Sequence, residues 1–157
     1  MKREKEFHYT NEQMVKDLLA ITPIKADESV LDAGSGNNAW FNNLKIPQKF
    51  ECEIERGCDF HEWNKKVDWI VGNPPFHESW KWVNKSSEVA RRGMAFLLNN
   101  QCLNSQFTPR RQQRLRDRGF YLQRIHVVSD KRWFGRYYYL IFTKKHNNFI
   151  SWNTKTY

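Results

Sequence analysis

The chain reads Glu28-Ser-Val-Leu-Asp-Ala-Gly-Ser-Gly36, and this stretch predicts the fold. Residues 28–33 form a short apolar run that is typical of a buried strand, and the glycines after it predict a tight turn. Residues 39–44 predict a helix. Open α/β sheets bind ligands where a strand ends in such a turn, because glycine lets a ligand approach the backbone. The same residues fit a looser dinucleotide pattern, so a nicotinamide cofactor and a purely structural turn remain open at this point.

The rest of the chain alternates between predicted strands and helices. A helix is expected over residues 11–21, with Thr10 as its N-cap. Two more are expected over residues 78–90 and 109–118, and the second is framed by Thr108, Pro109 and Gly119. The expected strands cover residues 50–55, 67–71, 94–98, 121–128 and 137–143. In Tyr137-Tyr138-Tyr139 the middle ring should face opposite to its neighbours. This alternation predicts an α/β layer with a mainly parallel sheet.

Length and charge favour one domain that meets a polyanion. The chain has 157 residues, enough for a single core. Residues 1–60 hold 8 Lys/Arg against 11 Asp/Glu, whereas residues 61–157 hold 18 against 6. A basic, aromatic-rich half favours a nucleic-acid partner, and the alternatives are a surface that maintains solubility or meets acidic lipid. With no apolar run long enough for a membrane and no signal peptide, we expect an intracellular, cytoplasmic protein. The three cysteines are expected to be reduced thiols, and no zinc spacing appears.

A second stretch, Asp68-Trp-Ile-Val-Gly-Asn-Pro-Pro-Phe76, carries the chemistry. The two prolines restrict the backbone, so the Asn73 side chain and the Pro74 carbonyl can face one pocket. An exocyclic amino group on a base is a poor nucleophile because its lone pair is delocalised into the ring. Two acceptors that take its N–H bonds favour a pyramidal nitrogen as it attacks, and Phe76 can stack on the base. The stretch therefore predicts methylation of an amino nitrogen.

The order of these motifs resembles the Rossmann-like S-adenosylmethionine-dependent methyltransferases, specifically the DNA adenine-N6 family, from about Tyr9 to Lys144. The resemblance implies an α/β fold whose mainly parallel sheet has an antiparallel closing strand. It implies an enzyme whose catalytic residues are Asn73, Pro74, Pro75 and Phe76. It also implies three groups of cofactor contacts. The methionine end would be bound by Asp32, Gly34 and Gly36 together with Tyr9 and Thr10 of the segment Phe7-His8-Tyr9-Thr10. The ribose would be bound by Glu53, and the adenine by Asp59 and Phe60. Trp133 and Phe134 would line the pocket for the target base.

The chain departs from the family pattern in two places. Only about five residues separate Glu53 from Asp59, so the fold is expected to be shortened between strands 2 and 3, and Glu55 competes with Glu53 for the ribose. We expect no separate target-recognition domain after the closing strands. The expected organisation is one domain over residues 1–157, with a cofactor-binding half at about 7–60, a catalytic and substrate-binding half at 61–145 and a tail at 146–157. Selectivity would come from loops, an arginine-rich helix or a protein partner.

Several functions compete with adenine-N6 methylation of DNA. His77 after the Asn-Pro-Pro-Phe motif also resembles ribosomal-RNA guanine-N2 methyltransferases, so RNA methylation at guanine N2 or adenine N6 is the nearest alternative. Less favoured are a protein glutamine methyltransferase, a non-catalytic nucleic-acid-binding module and C5-cytosine methylation, which needs a thiolate nucleophile. Arg111, Arg114 and Arg118 share one predicted helix face, which is either a phosphate contact or a solvated surface.

Overall fold

The computed structural model describes residues 9–132, 135–153 and 155. Phe7, His8, Trp133 and Phe134 lie outside the described residues. The helices within the described part are α1 (Glu12–Ala20), α2 (Ala39–Asn43), α3 (Ser79–Val89), α4 (Asn100–Gln106) and α5 (Pro109–Asp117). The strands are β1 (Val30–Ala33), β2 (Lys49–Cys52), β3 (Val67–Gly72), β4 (Ala90–Asn99), β5 (Tyr121–Val128) and β6 (Tyr137–Thr143). Three short 3₁₀ turns cover Ile54–Arg56, Phe60–Glu62 and Phe76–Glu78.

The strands form one six-stranded sheet in the order β2-β1-β3-β4-β6-β5. β2, β1, β3 and β4 are mutually parallel, whereas β6 lies antiparallel to both β4 and β5. The expected α/β fold with a mainly parallel sheet and an antiparallel closing strand is therefore confirmed. β5 therefore runs in the same direction as these four strands. The carboxyl ends of the five strands lie at a single edge of the sheet, the edge at which such folds bind ligands.

Helices cover both faces of the sheet because successive strand residues point in opposite directions. Leu31 and Ala33 pack into the core under α3, α4 and α5, while Val30 packs into the core under α1 and α2. The tyrosine run follows the same rule: Tyr137 and Tyr139 face the α1 side and Tyr138 the other. The predicted alternation of these rings is confirmed.

The connection between β2 and β3 holds two 3₁₀ turns and no helix, which confirms the expected shortening. As a result, β2 is an edge strand with β1 as its one neighbour. The expected strand over residues 50–55 is too long, because the chain turns immediately after Cys52. This turn brings Cys52 and Cys58 to a Cα–Cα distance of 5.2 Å, and they form a disulfide. The expectation of three reduced thiols is therefore wrong for this pair; Cys102 is a buried free thiol.

Several helix and strand ends differ from the expected ones. Thr10 is not the N-cap of α1: Asn11 is, and its side chain accepts hydrogen bonds from Gln13 N and Met14 N. At α5 the predicted frame is confirmed, with Thr108 as N-cap, Pro109 at the first position and Gly119 left-handed after the end. β4 is longer than expected and follows α3 directly, and α4 was not expected. No helix in the described part of the chain is long and apolar enough to cross a membrane.

Candidate active site

The glycine turn and the Asn-Pro-Pro-Phe segment lie side by side at the carboxyl edge of the sheet. β1 pairs directly with β3, so their ends are neighbours. Gly72 has φ 152°, and a Cβ on it would lie 2.8 Å from the Ala33 carbonyl oxygen. A larger residue would push the two strand ends apart, so glycine at this position keeps the turn and the segment in contact.

The turn after β1 contains two glycines in the left-handed backbone conformation. Gly34 and Gly36 have φ values of 66° and 51°. A Cβ on Gly34 would lie 3.0 Å from the Trp82 ring, and one on Gly36 would lie 3.2 Å from the Tyr9 ring. Both glycines are thus required by conformation and by space. The turn is a narrow seat between two aromatic rings, of which Tyr9 was expected at the site and Trp82 was not.

Asp32 is a fully buried carboxyl group below this turn, with an exposed fraction of 0%. One oxygen accepts a hydrogen bond from Phe41 N at 2.9 Å, and the other has no partner among the described residues. Burial raises the pKa of Asp32 to about 7, opposed by the Phe41 hydrogen bond and reinforced by the nearby Glu51 and Glu53 carboxylates. A buried acid with an unsatisfied oxygen is unfavourable by itself, which is typical of a group that receives a ligand.

Glu53 contacts the glycine turn directly, and Glu55 does not. The Glu53 carboxylate accepts a hydrogen bond from Gly36 N at 2.7 Å. It also accepts one from Glu55 N at 3.4 Å, which caps the 3₁₀ turn after β2. The Glu55 side chain is exposed. The geometry therefore brings Glu53, rather than Glu55, beside the turn.

Arg56 fastens the loop after β2 to the glycine turn. Its guanidinium donates to Ser35 Oγ at 2.5 Å, to the Gly36 carbonyl at 3.0 Å and to Asn38 Oδ1 at 2.8 Å. It also forms an ion pair with Glu51 at 2.6 Å. Sequence reasoning missed Arg56, because no periodicity or motif links it to partners about 20 residues earlier.

Asp59 and Phe60 directly follow Cys58, the second cysteine of the disulfide. Asp59 Oδ1 accepts a hydrogen bond from His61 N at 2.8 Å and so caps the second 3₁₀ turn. The Phe60 ring is 2% exposed and packs on Trp82 with a centroid distance of 4.9 Å. His61 lies edge-on to the same Trp82 and 3.5 Å from the Glu78 carboxylate. These contacts join the loop that precedes β3 to the residues that follow β3.

The Asn-Pro-Pro-Phe segment is held from two directions. The Asn73 amide nitrogen donates to Thr10 Oγ1 at 3.4 Å. The Phe76 carbonyl accepts a hydrogen bond from the Cys102 thiol at 3.3 Å, and the Phe76 ring lies 6.3 Å from the ring of Tyr137. Pro74 is buried, whereas Pro75 and His77 are exposed. Sequence reasoning missed Cys102 and Tyr137, since both reach the segment through long-range packing.

Arg111 and Arg114 lie in α5 and Arg118 follows its end, and Arg111 and Arg118 have different partners. Arg111 stacks on Trp80 at 5.0 Å from the ring centroid and donates to the Ser105 carbonyl, close to the carboxyl edge. Arg118 instead bonds Asn84 and Ser87 near the end of α3, toward the opposite edge. Arg114 is exposed. The described residues hold no cluster of three His, Cys, Asp or Glu suited to a metal ion.

The mostly parallel six-stranded sheet matches the Rossmann-like fold of solved methyltransferases. The chain resembles 23S rRNA methyltransferase ErmE at 13% identity, with a TM-score of 0.66, over 90% of this chain and 71% of that one. It resembles a methyltransferase from Pyrococcus furiosus at 16% identity, with a TM-score of 0.61, over 92% and 88%. Magnesium protoporphyrin IX methyltransferase from Synechocystis, solved with S-adenosylmethionine, matches at 16% identity and a TM-score of 0.56 over 85% and 79%. No protein-family model and no curated protein sequence matches.

Proposed function

We propose that this protein transfers a methyl group from S-adenosylmethionine to an exocyclic amino nitrogen of a nucleic-acid base. The observation that carries the proposal is the contact between the glycine turn and the Asn-Pro-Pro-Phe segment, where Gly72 lies against the Ala33 carbonyl. A methyl donor seated on the turn would place its reactive end beside Asn73. Proximity of donor and acceptor supplies much of the rate acceleration in group transfer.

The residues around the turn fit S-adenosylmethionine. The unsatisfied oxygen of buried Asp32 suits the positively charged methionine end, together with Gly34, Gly36 and the Tyr9–Thr10 segment. Glu53 suits the ribose hydroxyls, and it is favoured over Glu55 because it lies against the turn. Asp59 and Phe60 would line the adenine end, with the buried Phe60 ring as its floor. The bound cofactor would supply an electrophilic methyl group on a sulfonium: as the N–CH3 bond forms, the S–CH3 bond breaks and a neutral thioether leaves, and the methylated nitrogen then loses one proton to solvent.

The chain's own residues hold and orient the amino group. Asn73 Oδ1 and the Pro74 carbonyl accept its two N–H bonds, so the nitrogen lone pair turns toward the donor. Pro75 restricts the backbone that carries both acceptors, and Phe76 stacks on the base. Since both acceptors are uncharged, the arrangement works without a general base and without titration of either group.

Adenine N6 in DNA is the acceptor that we propose, because the order of the motifs around Asn73-Pro74-Pro75-Phe76 resembles that family. Lys131 and Arg136 are exposed in the loop between β5 and β6, at the same edge as Asn73, where a phosphate backbone would pass. Arg111 beside Trp80 would extend this contact, whereas Arg118 is too far toward the other edge. RNA is the second candidate, favoured by the likeness to a 23S rRNA methyltransferase and by the exposed His77.

A labelling experiment tests the reaction. Radiolabelled S-adenosylmethionine is offered with duplex DNA, single-stranded DNA, RNA and protein extract, and the labelled nucleosides are identified. We expect N6-methyladenine from DNA. Asn73→Ala should abolish transfer and leave cofactor binding largely intact, because the residue acts on the acceptor. Label in protein alone, or in no pool, would refute the proposed function, and labelled guanine or adenine from RNA would establish the second candidate.

A salt titration tests the proposed nucleic-acid path. Each lost phosphate contact lowers the slope of log K against log salt by about 0.9 for duplex DNA. Replacing Lys131 and Arg136 with Gln should therefore lower the slope by up to about two. A matched control replaces Lys45 and Lys145, which are equally exposed and remove the same charge near the opposite edge. Equal slope changes in both variants would show that the charge acts non-specifically.

A further inference from the structure

Tyr9 and Thr10 form a short segment that contacts both halves of the site. The Tyr9 ring packs on Gly36, and its carbonyl accepts a hydrogen bond from Arg132 at 3.4 Å. Thr10 Oγ1 accepts the hydrogen bond from the Asn73 amide nitrogen. Two adjacent residues thus contact both the glycine turn, where the methyl donor is proposed to bind, and Asn73, which is proposed to bind the target amino group.

Thr10 is well placed to hold its hydroxyl in one position. Its side chain is 7% exposed, and the next residue, Asn11, caps α1 through its own side chain. α1 is anchored in the core by Val15 and Leu18, which are 0% and 1% exposed. A β-branched residue with a fixed backbone has few side-chain conformations. The hydroxyl oxygen is therefore a rigid partner for Asn73.

The orientation of the Asn73 amide decides whether the residue can work. Its oxygen and nitrogen have nearly the same size, so a half-turn of the amide exchanges them at little steric cost. With the nitrogen facing the target, two N–H groups would oppose each other. We propose that Thr10 is a positioning residue, whose hydroxyl oxygen takes the Asn73 amide nitrogen so that Oδ1 faces the amino group. This inference rests on the proposed function of Asn73 as an acceptor.

Kinetics on Thr10→Val and Thr10→Ser test this role. Thr10→Val keeps the shape and removes the hydroxyl, and one lost uncharged hydrogen bond corresponds to about a tenfold loss of kcat. The KM for the nucleic acid should stay within about twofold. Thr10→Ser keeps the oxygen and should restore most of kcat. Thr22→Val is the matched control: Thr22 is 6% exposed, and its hydroxyl bonds Leu18 O and Tyr139 away from the site, so its loss should lower stability but leave kcat unchanged.

A readout independent of turnover separates this inference from the proposed function. In wild type the Asn73 side-chain amide should give one sharp pair of NMR resonances, and Thr10→Val should broaden or shift them, while Thr10→Ser should not. Normal kcat and unchanged resonances in Thr10→Val would overturn the positioning role, as would a change confined to the cofactor Kd. If wild-type protein methylates no nucleic acid, the proposed function fails, and the resonances still decide whether Thr10 orients Asn73.

Discussion

The substitution Asp32→Asn should make the cofactor-free protein more stable above neutral pH. Burial raises the pKa of Asp32 from 3.8 to about 7, so the folded chain keeps a proton that the unfolded chain has lost. Between these two pH values the wild-type free energy of unfolding falls as pH rises, by about 1.4 kcal/mol per pH unit. Over about three pH units this amounts to about 4 kcal/mol, fully lost above pH 7. The amide introduced by Asp32→Asn does not titrate, so the variant escapes this loss.

Urea unfolding between pH 3.5 and pH 8 measures the effect. The two proteins should differ little below about pH 4, and the variant should gain steadily as pH rises, by about 1.6 kcal/mol at pH 5 and up to about 4 kcal/mol at pH 8. Parallel stability curves, or a wild type more stable than the variant at pH 8, would refute the reasoning. The same variant should bind S-adenosylmethionine more weakly, since the buried charge is what would meet the cofactor's ammonium.

Asp68→Asn is a control of opposite sign. Partial burial acts to raise the pKa of Asp68, but hydrogen bonds from Ser29 and Arg91 outweigh it and hold the pKa below its usual value. Its ionised form therefore stabilises the fold above the unfolded pKa, and that contribution is lost as pH falls through the folded one. Asp68→Asn should be less stable than wild type at pH 7. The difference should shrink toward acid.

Two further predictions concern the contact between the ends of β1 and β3 and the proposed ribose site. Gly72→Ala should lower the free energy of unfolding by more than the about 1–3 kcal/mol that backbone strain alone costs. The additional loss comes from the collision of the new Cβ with the Ala33 carbonyl oxygen. Gly57→Ala, at φ 85° with nothing within 4 Å, should show the strain alone, and equal losses in thermal denaturation would contradict the collision. Glu53→Gln should raise the S-adenosylmethionine Kd about tenfold and Glu55→Gln should not; calorimetry giving the reverse order would assign the ribose to Glu55.

Local patterns in the sequence predict the parts of the fold that depend on neighbours in the chain. β5 and β6 have the bounds that alternation and turn residues predict, and the caps of α5 follow from Thr108, Pro109 and Gly119. The glycine turn and the proline pair are likewise local. Thr10 was placed one residue too early as a cap, because Asn11 is an equally good N-cap and competes for that position.

The parts that sequence reasoning missed depend on contacts between distant residues. Arg56 reaches the glycine turn from about 20 residues away, and Thr10 reaches Asn73 across 63 positions. Cys52 and Cys58 were expected to be reduced thiols, because three cysteines cannot all pair and no zinc spacing appears. Only the turn between them brings them together. Such contacts are fixed by how the sheet assembles, and a single sequence carries no periodic signal for them.

The position of β2 at the sheet edge gives this protein an uneven resistance to local opening. β2 has four residues and pairs with β1 alone among the described strands. Hydrogen bonds of Arg56 and Glu53 tie the following loop to the glycine turn, and the Cys52–Cys58 disulfide ties that loop to the end of β2. By contrast, β4 lies between two long partners in the middle of the sheet. Amide hydrogens near Glu53 should accordingly exchange with solvent long before those of β4. The half proposed to bind the methyl donor would then open locally while the half proposed to hold the base stays closed.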